Sequence, residues 1–261
     1  MVNIALFSGN RVFEFVQYLG ELTVLFGQTV YWMFMPPLKM ERFLAQAKRV
    51  GPGSFFIAAL VAFFVGMIIA LQMAYQMVKL SAEIYIPNVV AVSLIRELGP
   101  VLTALIVAGR MGAGITAEIG SMTVTEQVDA LKAFAVNPVK YLVVPRFLAM
   151  VVMLPVLTIF ADLVGIAGGF VICVNKLGIT PSMYINMVTQ TVAIKDVVTG
   201  LTKTVFFGAV IALVGCHQGL NVKGGADGVG RSTTVSVVIS FILIIMTDCL
   251  FTMLFYFIFK A

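Results

Sequence analysis

Charge is scarce in this sequence of 261 residues. Asp, Glu, Lys and Arg together make up 11% of the chain, whereas hydrophobic residues make up 61%. Soluble domains carry about 25% charged residues, because a surface in contact with water is built largely from them. The composition therefore excludes a disordered chain, a fibre and a secreted disulfide scaffold. It predicts an all-α protein that crosses a membrane several times.

The residue types that usually carry catalysis are also few. The three cysteines, Cys173, Cys216 and Cys249, lie inside apolar runs, where cysteine commonly serves as packing, and His217 is the one histidine. This pattern disfavours a disulfide, a zinc site and a Ser/His/Asp triad. We therefore predict a non-enzymatic chain without catalytic residues, bound metal or cofactor of its own.

Five apolar runs are long enough to cross a bilayer, since a helical span needs about 20 residues. They lie at 54–78, 89–115, 143–174, 197–217 and 233–259. The second run is predicted to be interrupted at Gly99-Pro100, and the third contains Pro145 and Pro155. A helix break inside a membrane needs neighbouring protein or water to satisfy the freed backbone groups.

Lysine and arginine are distributed unevenly between the two sides of these spans. Ten lie at 39–49, just before the first span, or around the loops at 116–142 and 218–232, and four lie on the opposite side: Lys79, Lys176, Lys195 and Lys260. Because basic residues accumulate in cytoplasmic loops, we predict a cytoplasmic N-terminus and a C-terminus outside the cytoplasm.

The segment before the first span has amphipathic periodicity. Its apolar residues recur at steps of three and four: Val12, Phe15, Leu19, Leu22, Phe26 and Val30. We predict an interfacial helix within about 10–48, anchored by Tyr18, Tyr31 and Trp32 and ended by Pro36-Pro37. A sixth span is the alternative, disfavoured by Glu14 and Glu21.

The loop between spans two and three predicts a short amphipathic helix at 123–138. Thr123 and Glu126 have the spacing of a capping box, and Asn137-Pro138 marks the end. An apolar ridge follows at helical spacing and consists of Val128, Leu131 and Phe134. The helix either rests on the bilayer or docks into a cytoplasmic partner, and spacing alone leaves both open.

Five ionisable residues fall inside or near the spans: Arg96, Glu97, Asp162, Lys203 and Asp248. Helical rise places them in one slab in the outer half of the membrane. A charge in lipid is costly, so each is expected to face the bundle interior or a wet cavity and to find a partner. We hypothesise that Lys203 pairs with Asp248 and that Arg96 and Glu97 line an outward-facing cavity. The alternative is that these charges only hold the helices in register.

Small residues predict close helix contacts. Ala161, Gly165 and Gly169 lie on one helical stripe, and Gly109, Gly112 and Gly114 cluster near the inner end of span two. Such residues let helices approach closely, either within the chain, which is commoner, or at a homodimer seam.

The stretch from Gly225 to Ser232 matches the spacing of a nucleotide-binding P-loop, except that Arg231 replaces the lysine. A P-loop needs a strand and an α/β domain, which a short loop between spans does not provide. We predict a flexible glycine-rich turn instead. Segments outside the spans are too short for an ATPase domain, so transport would draw on an ion gradient or a separate subunit.

A long central motif resembles the signature of the MlaE family, the permease subunits of lipid-transporting ABC systems that work with MCE proteins. It runs RELGPVLTALIVAGRMGAGITAEIGSM over 96–122 and continues as TEQVDAL at 125–131 and Asn137-Pro138. The resemblance spans nearly the whole chain, including the KGGADGVGR loop at 223–231. It implies one permease domain over 1–261, with five transmembrane helices, an N-terminal interfacial helix and a cytoplasmic coupling helix.

The resemblance also implies partners and a cargo. It implies a homodimer in the bacterial inner membrane, bound to ATPase subunits that hold ATP and Mg, to a STAS-domain protein and to a hexamer of MCE-domain chains. The implied function is to move glycerophospholipid to or from a periplasmic carrier, which maintains the lipid asymmetry of the outer membrane.

Site residues follow by matching motif positions. The implied substrate-binding residues are Arg96, Glu97, Leu98, Lys203 and Asp248. The implied ATPase-coupling residues are Glu126, Gln127, Val128, Asp129, Leu131 and Phe134.

Two other function classes remain open. An ion-coupled secondary transporter is compatible with intramembrane carboxylates, although five spans do not divide into two equal repeats. A scaffold that only anchors an MCE hexamer is the other.

Overall fold

The computed structural model describes residues 2–36 and 40–259, with side chains described for 16–36 and 40–257. Within these ranges the chain contains no strand, which confirms the predicted all-α fold. The α-helices are α1 Val2–Met33, α2 Met40–Met77, α3 Ile86–Ser93, α4 Gly99–Val107, α5 Ala113–Val124, α6 Gln127–Ala133, α7 Val144–Leu177, α8 Pro181–Thr191, α9 Ile194–Leu220 and α10 Gly225–Phe259.

Five helical stretches are long and apolar enough to cross a membrane, as predicted. They are Met40–Leu80, Glu83–Val124, Val139–Leu177, Ile194–Leu220 and Gly225–Phe257. The connection between the second and third contains α6, and the connection between the third and fourth contains α8. These two short helices therefore lie at opposite ends of the bundle, which we call the α6 end and the α8 end.

The helices extend well beyond the predicted apolar runs. The predicted interfacial segment at 10–48 is divided, because α1 ends at Met33 and α2 begins at Met40 and continues into the first span. Charged residues such as Glu41 lower the hydropathy of the first turns of α2 without interrupting its backbone hydrogen bonds. Of the predicted apolar face of α1, Leu22 is buried but Phe26 is 44% exposed, and Val12 and Phe15 lie outside the described side chains.

Helix α8 was not predicted. It is amphipathic and shorter than a span, and Tyr184 pins it to α7 by donating a hydrogen bond to the carbonyl oxygen of Ile166 at 2.9 Å. Burial raises the pKa of the Tyr184 hydroxyl, so the group stays protonated and keeps this bond over the physiological pH range.

At two prolines the helix continues through a wider π-helical turn instead of breaking. A π-helical turn at Leu94–Leu98 precedes Gly99-Pro100, and another at Val139–Val143 precedes Pro145. Proline lacks an N–H, and its ring clashes with the carbonyl oxygen four residues earlier. The wider π turn relieves that clash, so the interruption predicted at Gly99-Pro100 is a local change of helical pitch.

The tightest helix contact joins α2 and α7. A Cβ atom at Gly66 would overlap the carbonyl oxygen of Gly165, and one at Gly168 would overlap that of Phe63. The stripe of Ala161, Gly165 and Gly169 therefore packs within the chain, the commoner of the two predicted alternatives. Small side chains let two backbones approach at van der Waals distance, where dispersion is strong.

The P-loop-like segment forms the start of α10, so the predicted flexible turn is wrong. The connection from α9 is short because Gly224 and Gly225 have φ of +91° and +68°. Glycine adopts this left-handed region without a steric penalty, which allows the chain to reverse and begin a helix at once.

We expect Gly66→Ala to lower the free energy of unfolding by about 1–3 kcal/mol or more, because the added methyl group meets backbone that cannot rotate away. Gly114→Ala is the matched control, since nothing lies within 4 Å of the Cβ position there. That control is expected to gain up to about 1 kcal/mol from helix propensity. Thermal unfolding of both variants in one detergent checks the contrast, and equal midpoints would refute the packing argument.

Candidate functional site

A cluster of charged side chains lies inside the bundle toward the α8 end. The π turn at Leu94–Leu98 supplies Arg96 and Glu97, α9 supplies Asp196 and Lys203, and α10 supplies Asp248 and Thr252. The two residues from α9 are seven apart and those from α10 are four apart, so each pair lies on one helix face. Three spans thus place their polar faces against each other.

Lys203 is at the centre of the cluster and is completely buried. Its Nζ atom forms an ion pair with Glu97, lies 2.9 Å from Asp248 Oδ1 and donates a hydrogen bond to Thr252 Oγ1 at 2.7 Å. Thr252 in turn donates to Glu97 at 3.1 Å. The predicted pair of Lys203 and Asp248 is confirmed. Glu97, the second carboxylate partner of Lys203, was not predicted.

Arg96 forms a separate ion pair with Asp196, which was not predicted from the sequence. The Arg96 Nε atom donates to Asp196 Oδ1 at 2.7 Å, and the Asp196 side chain is buried whereas that of Arg96 is 45% exposed. Asp196 Oδ2 also accepts a bond from the backbone N–H of Ala193 at 3.0 Å, which fixes the start of α9. A carboxylate in the first turn of a helix is favoured by the helix dipole, a signal that could have identified Asp196.

A cavity of about 330 Å³ opens beside the cluster. It is lined by Arg96, Glu97, Lys195, Asp196, Thr199, Thr252, Phe255 and Tyr256. Arg96 and Glu97 thus line one cavity, and its predicted opening to the outside stays a prediction. Leu98, also expected at the site, packs instead against a core cluster formed by α2, α3 and α7.

The cavity can bind a ligand that carries charge and apolar surface. Arg96 and Lys195 present cationic donors, and Glu97 presents an acceptor. Phe255 stacks on Phe251, which contacts Phe206, so an aromatic strip borders the polar groups. Where side chains are described, no group of three His, Cys, Asp or Glu residues is arranged to hold a metal ion.

Asp162 lies outside this cluster, contrary to the expectation that it would be paired. Its Oδ1 atom is buried, has no hydrogen-bond partner among the described residues and packs on Gly99, where a Cβ would overlap it. The carboxyl borders a separate, largely apolar cavity between α7, α8 and α9. Glycine at position 99 is the reason that α7 can place a carboxyl so close to the second span.

The α6 end contains a second ionic network, formed by Glu118, Arg49 and Arg146. Glu118 Oε2 lies 3.0 Å from Arg146 Nη2 and 3.1 Å from Arg49 Nη1, and Arg146 is 5% exposed. This network joins α5, α2 and α7 next to α6. From the sequence alone, Arg49 and Arg146 count only among the basic residues that indicate orientation, because Glu118 lies far from both along the chain.

Helix α1 is attached to the bundle at the same end. His217 Nε2 of α9 lies 3.0 Å from Glu21 Oε2, and the Tyr18 ring contacts the imidazole edge-on. Hydrogen bonds from Gln17 and His217 hold the pKa of the Glu21 carboxyl below its ordinary value. These contacts, together with buried Leu22 and Leu25, hold α1 against α9.

Helix α6 differs from its prediction in two respects. The capping box is absent, because Thr123 donates instead to the carbonyl oxygens of Ile119 and Gly219, and α6 begins at Gln127. The predicted apolar ridge is also divided. Val128 is buried in the core and Leu131 packs against it, whereas Phe134 is 80% exposed.

The exposed face of α6 consists of the remaining residues expected there. Glu126, Gln127 and Asp129 are exposed beside Phe134, and Lys132 donates to Asp129 at 2.8 Å. Glu126 has a φ of +59° and Ala135 a φ of +57°, so the left-handed region brackets the helix at both ends. Such conformations persist in non-glycine residues only where the surrounding structure fixes them, so α6 is held in one orientation.

Comparison with known proteins gives a consistent result. The family model described as "Permease MlaE" matches residues 43–254. A probable ABC transporter permease protein of Rickettsia felis is 40% identical over 256 residues, covering 98% of this chain and 99% of that protein. A probable ABC transporter permease protein of Synechocystis is 43% identical over 224 residues, covering 86% of this chain and 85% of that protein. The Arabidopsis thaliana protein named TRIGALACTOSYLDIACYLGLYCEROL 1, chloroplastic, is 34% identical over 236 residues, covering 90% of this chain and 67% of that protein.

We expect Lys203→Met to destabilise the protein by about 3–5 kcal/mol, because it leaves Glu97 and Asp248 without their shared cation. The triple variant Lys203→Met/Glu97→Gln/Asp248→Asn should recover much of that loss, since no unpaired charge remains. Lys195→Met is the control at an exposed position. The thermal unfolding midpoints of the variants measure these differences in stability. A triple variant less stable than Lys203→Met alone would show that the unpaired carboxylates do not cause the loss.

Proposed function

This chain belongs to the MlaE permease family, and we propose that it is the membrane subunit through which an ABC transporter moves glycerophospholipid. In this proposal it works in the bacterial inner membrane and exchanges lipid with a periplasmic MCE-protein system, which maintains outer-membrane asymmetry. The observation that carries the proposal is the amphiphilic cavity beside buried Lys203. The name of the Arabidopsis relative, which contains that of a galactolipid, supports a lipid cargo.

The polar half of the cavity suits a phospholipid headgroup. A headgroup phosphate needs cationic donors, which the exposed part of Arg96 and Lys195 offer. Glu97 can accept from an ammonium or hydroxyl of the same headgroup. Because Lys203 and Asp196 hold Glu97 and Arg96 in place, little side-chain entropy remains to be lost on binding.

The acyl chains need more apolar surface than this cavity contains. Helix α10 offers such surface, since its span is the least buried of the five. Large apolar side chains are exposed along it, among them Ile242, Ile245, Met246, Leu250, Met253, Leu254 and Phe257. We propose that a second copy of the chain faces this surface and that the dimer encloses the lipid tails.

Orientation follows from the charges. Basic residues concentrate at the α6 end, so we propose that this end is cytoplasmic and the α8 end periplasmic. The exposed face of α6 would then contact the ATPase subunit, which binds ATP and Mg. The MCE hexamer would sit over the α8 end, where the cavity opens. A STAS-domain protein would belong to the cytoplasmic side of the same assembly.

Function is tested by lipid transfer in the reconstituted complex. We expect transfer of fluorescent phospholipid to require ATP and to fall at least about tenfold in Arg96→Leu, since a charge-assisted contact contributes roughly 1.5–3 kcal/mol. Lys176→Leu, an exposed cation outside the cavity, is the control. Transfer driven by a proton gradient without ATP would favour a secondary transporter, and undiminished transfer by Arg96→Leu would favour a scaffold.

Coupling is tested at Phe134. We expect Phe134→Asp to reduce recovery of the ATPase subunit with the purified permease, because an exposed aromatic side chain is a typical interface anchor. Ile194→Asp is the matched control, since Ile194 is 84% exposed but lies at the α8 end. Unchanged ATPase recovery with Phe134→Asp would exclude this face as the contact.

A further inference from the structure

A second cavity, of about 320 Å³, lies at the α6 end, far from the charged cluster. Its walls come from the end of α1, the start of α2, the segment after α6 and the start of α7. Its α7 residues lie at the start of the third apolar run, 143–174, and its α2 residues precede the first run, 54–78. At that level a membrane helix meets the headgroup layer of its leaflet.

Two cations line this cavity, and each contacts an aromatic ring. The Arg42 guanidinium lies 3.5 Å from the centre of the Tyr141 ring, and Lys140 Nζ lies 5.4 Å from that of Trp32. Lys140 also donates to the carbonyl oxygen of Pro36 at 3.2 Å. Neither cation forms an ion pair with any carboxylate whose position the structure describes.

The remaining donors suit a phosphate group. A guanidinium that lies over an aromatic ring still has all its N–H groups in its own plane. Two of them can therefore donate to two oxygens of one phosphate. A lysine ammonium has three donors, of which the Pro36 carbonyl oxygen takes one. Two cations without an acidic partner, held by aromatic contacts at both sides of one cavity, favour an anionic ligand.

The other walls favour an amphiphile over a free ion. Met40, Phe43 and Leu148 add apolar surface, and Trp32 and Tyr141 are of the types that anchor at membrane interfaces. Basic pockets between membrane helices are typical sites for anionic lipid headgroups. We propose that this cavity binds the headgroup of an anionic phospholipid from the leaflet on the α6 side.

Such a lipid would be distinct from the transported cargo. Ala135, Val136 and Asn137 line the cavity and directly follow α6. A bound headgroup would therefore support the segment that holds α6 in its orientation, and anionic lipid would strengthen coupling to a partner there. The proposal does not rest on the identity of the cargo at the α8 end.

Trp32 makes the test direct, because it is the one tryptophan among the 261 residues. The full-length permease is titrated in mixed micelles with phosphatidylglycerol, and its tryptophan emission is followed. We expect a saturable change whose midpoint rises roughly 25-fold in Arg42→Gln/Lys140→Gln, because each cation near an anionic lipid contributes about fivefold in affinity.

Three controls define the outcome. Lys79→Gln removes a lysine that also lies over an aromatic ring, 4.4 Å from the centre of Tyr75, but at the α8 end, so it should leave the midpoint unchanged. Arg42→Lys/Lys140→Arg keeps both charges but removes the planar guanidinium over Tyr141, so its midpoint should lie between those of the parent and of Arg42→Gln/Lys140→Gln. Size-exclusion profiles identical to the parent's show that a variant is folded.

Three results would overturn the proposal. The first is a midpoint for Arg42→Gln/Lys140→Gln that equals the parent's. The second is a tryptophan response to phosphatidylcholine as large as that to phosphatidylglycerol. The third is an equally large response to inorganic phosphate. The last would indicate a site for free anions. Failure of lipid transfer in the reconstituted complex would bear on the cargo alone, so the two proposals fail separately.

Discussion

A lysine ammonium buried among apolar helices has to be neutralised locally, and this requirement organises the α8 end of the bundle. Lys203 is fully buried, forms ion pairs with Glu97 and Asp248, and donates a hydrogen bond to Thr252. Each partner comes from a different span than Lys203, so satisfying one charge fixes the relative positions of three spans. The same contacts leave Glu97 and Arg96 at the wall of a cavity, where they can serve a ligand without further ordering.

Helix packing makes that arrangement possible. Glycines on α2 and α7 bring two backbones into direct contact, and Gly99 makes room for the Asp162 carboxyl. The π turn before Pro100 changes the pitch where Arg96 and Glu97 project. A regular α-helix with larger residues would separate these spans and rotate the two charges away from α9. Local backbone irregularity and small side chains are therefore part of the site.

The two ends of the bundle carry different kinds of chemistry. At the α8 end, buried ion pairs border an open amphiphilic cavity. At the α6 end, Glu118 and two arginines tie α2, α5 and α7 together under a short helix that is fixed on both sides by left-handed residues. In the proposed function the α6 end contacts the ATPase subunit and the α8 end holds the ligand, and the length of the spans separates the two.

The sequence by itself determined that the chain is helical and that five stretches are long and apolar enough to span a membrane, because hydropathy acts locally along the chain. It also suggested the pair of Lys203 and Asp248, because two opposite charges at a similar depth in the membrane favour pairing. Its motif at 96–122 also indicated the family. Only the tertiary structure decided that Asp196 pairs with Arg96, that Glu97 also pairs with Lys203 and that Val128 faces the core. It also decided that the Asp162 Oδ1 atom has no hydrogen-bond partner among the described residues. Those outcomes depend on the rotation and separation of packed helices, which are set by contacts between residues distant in sequence.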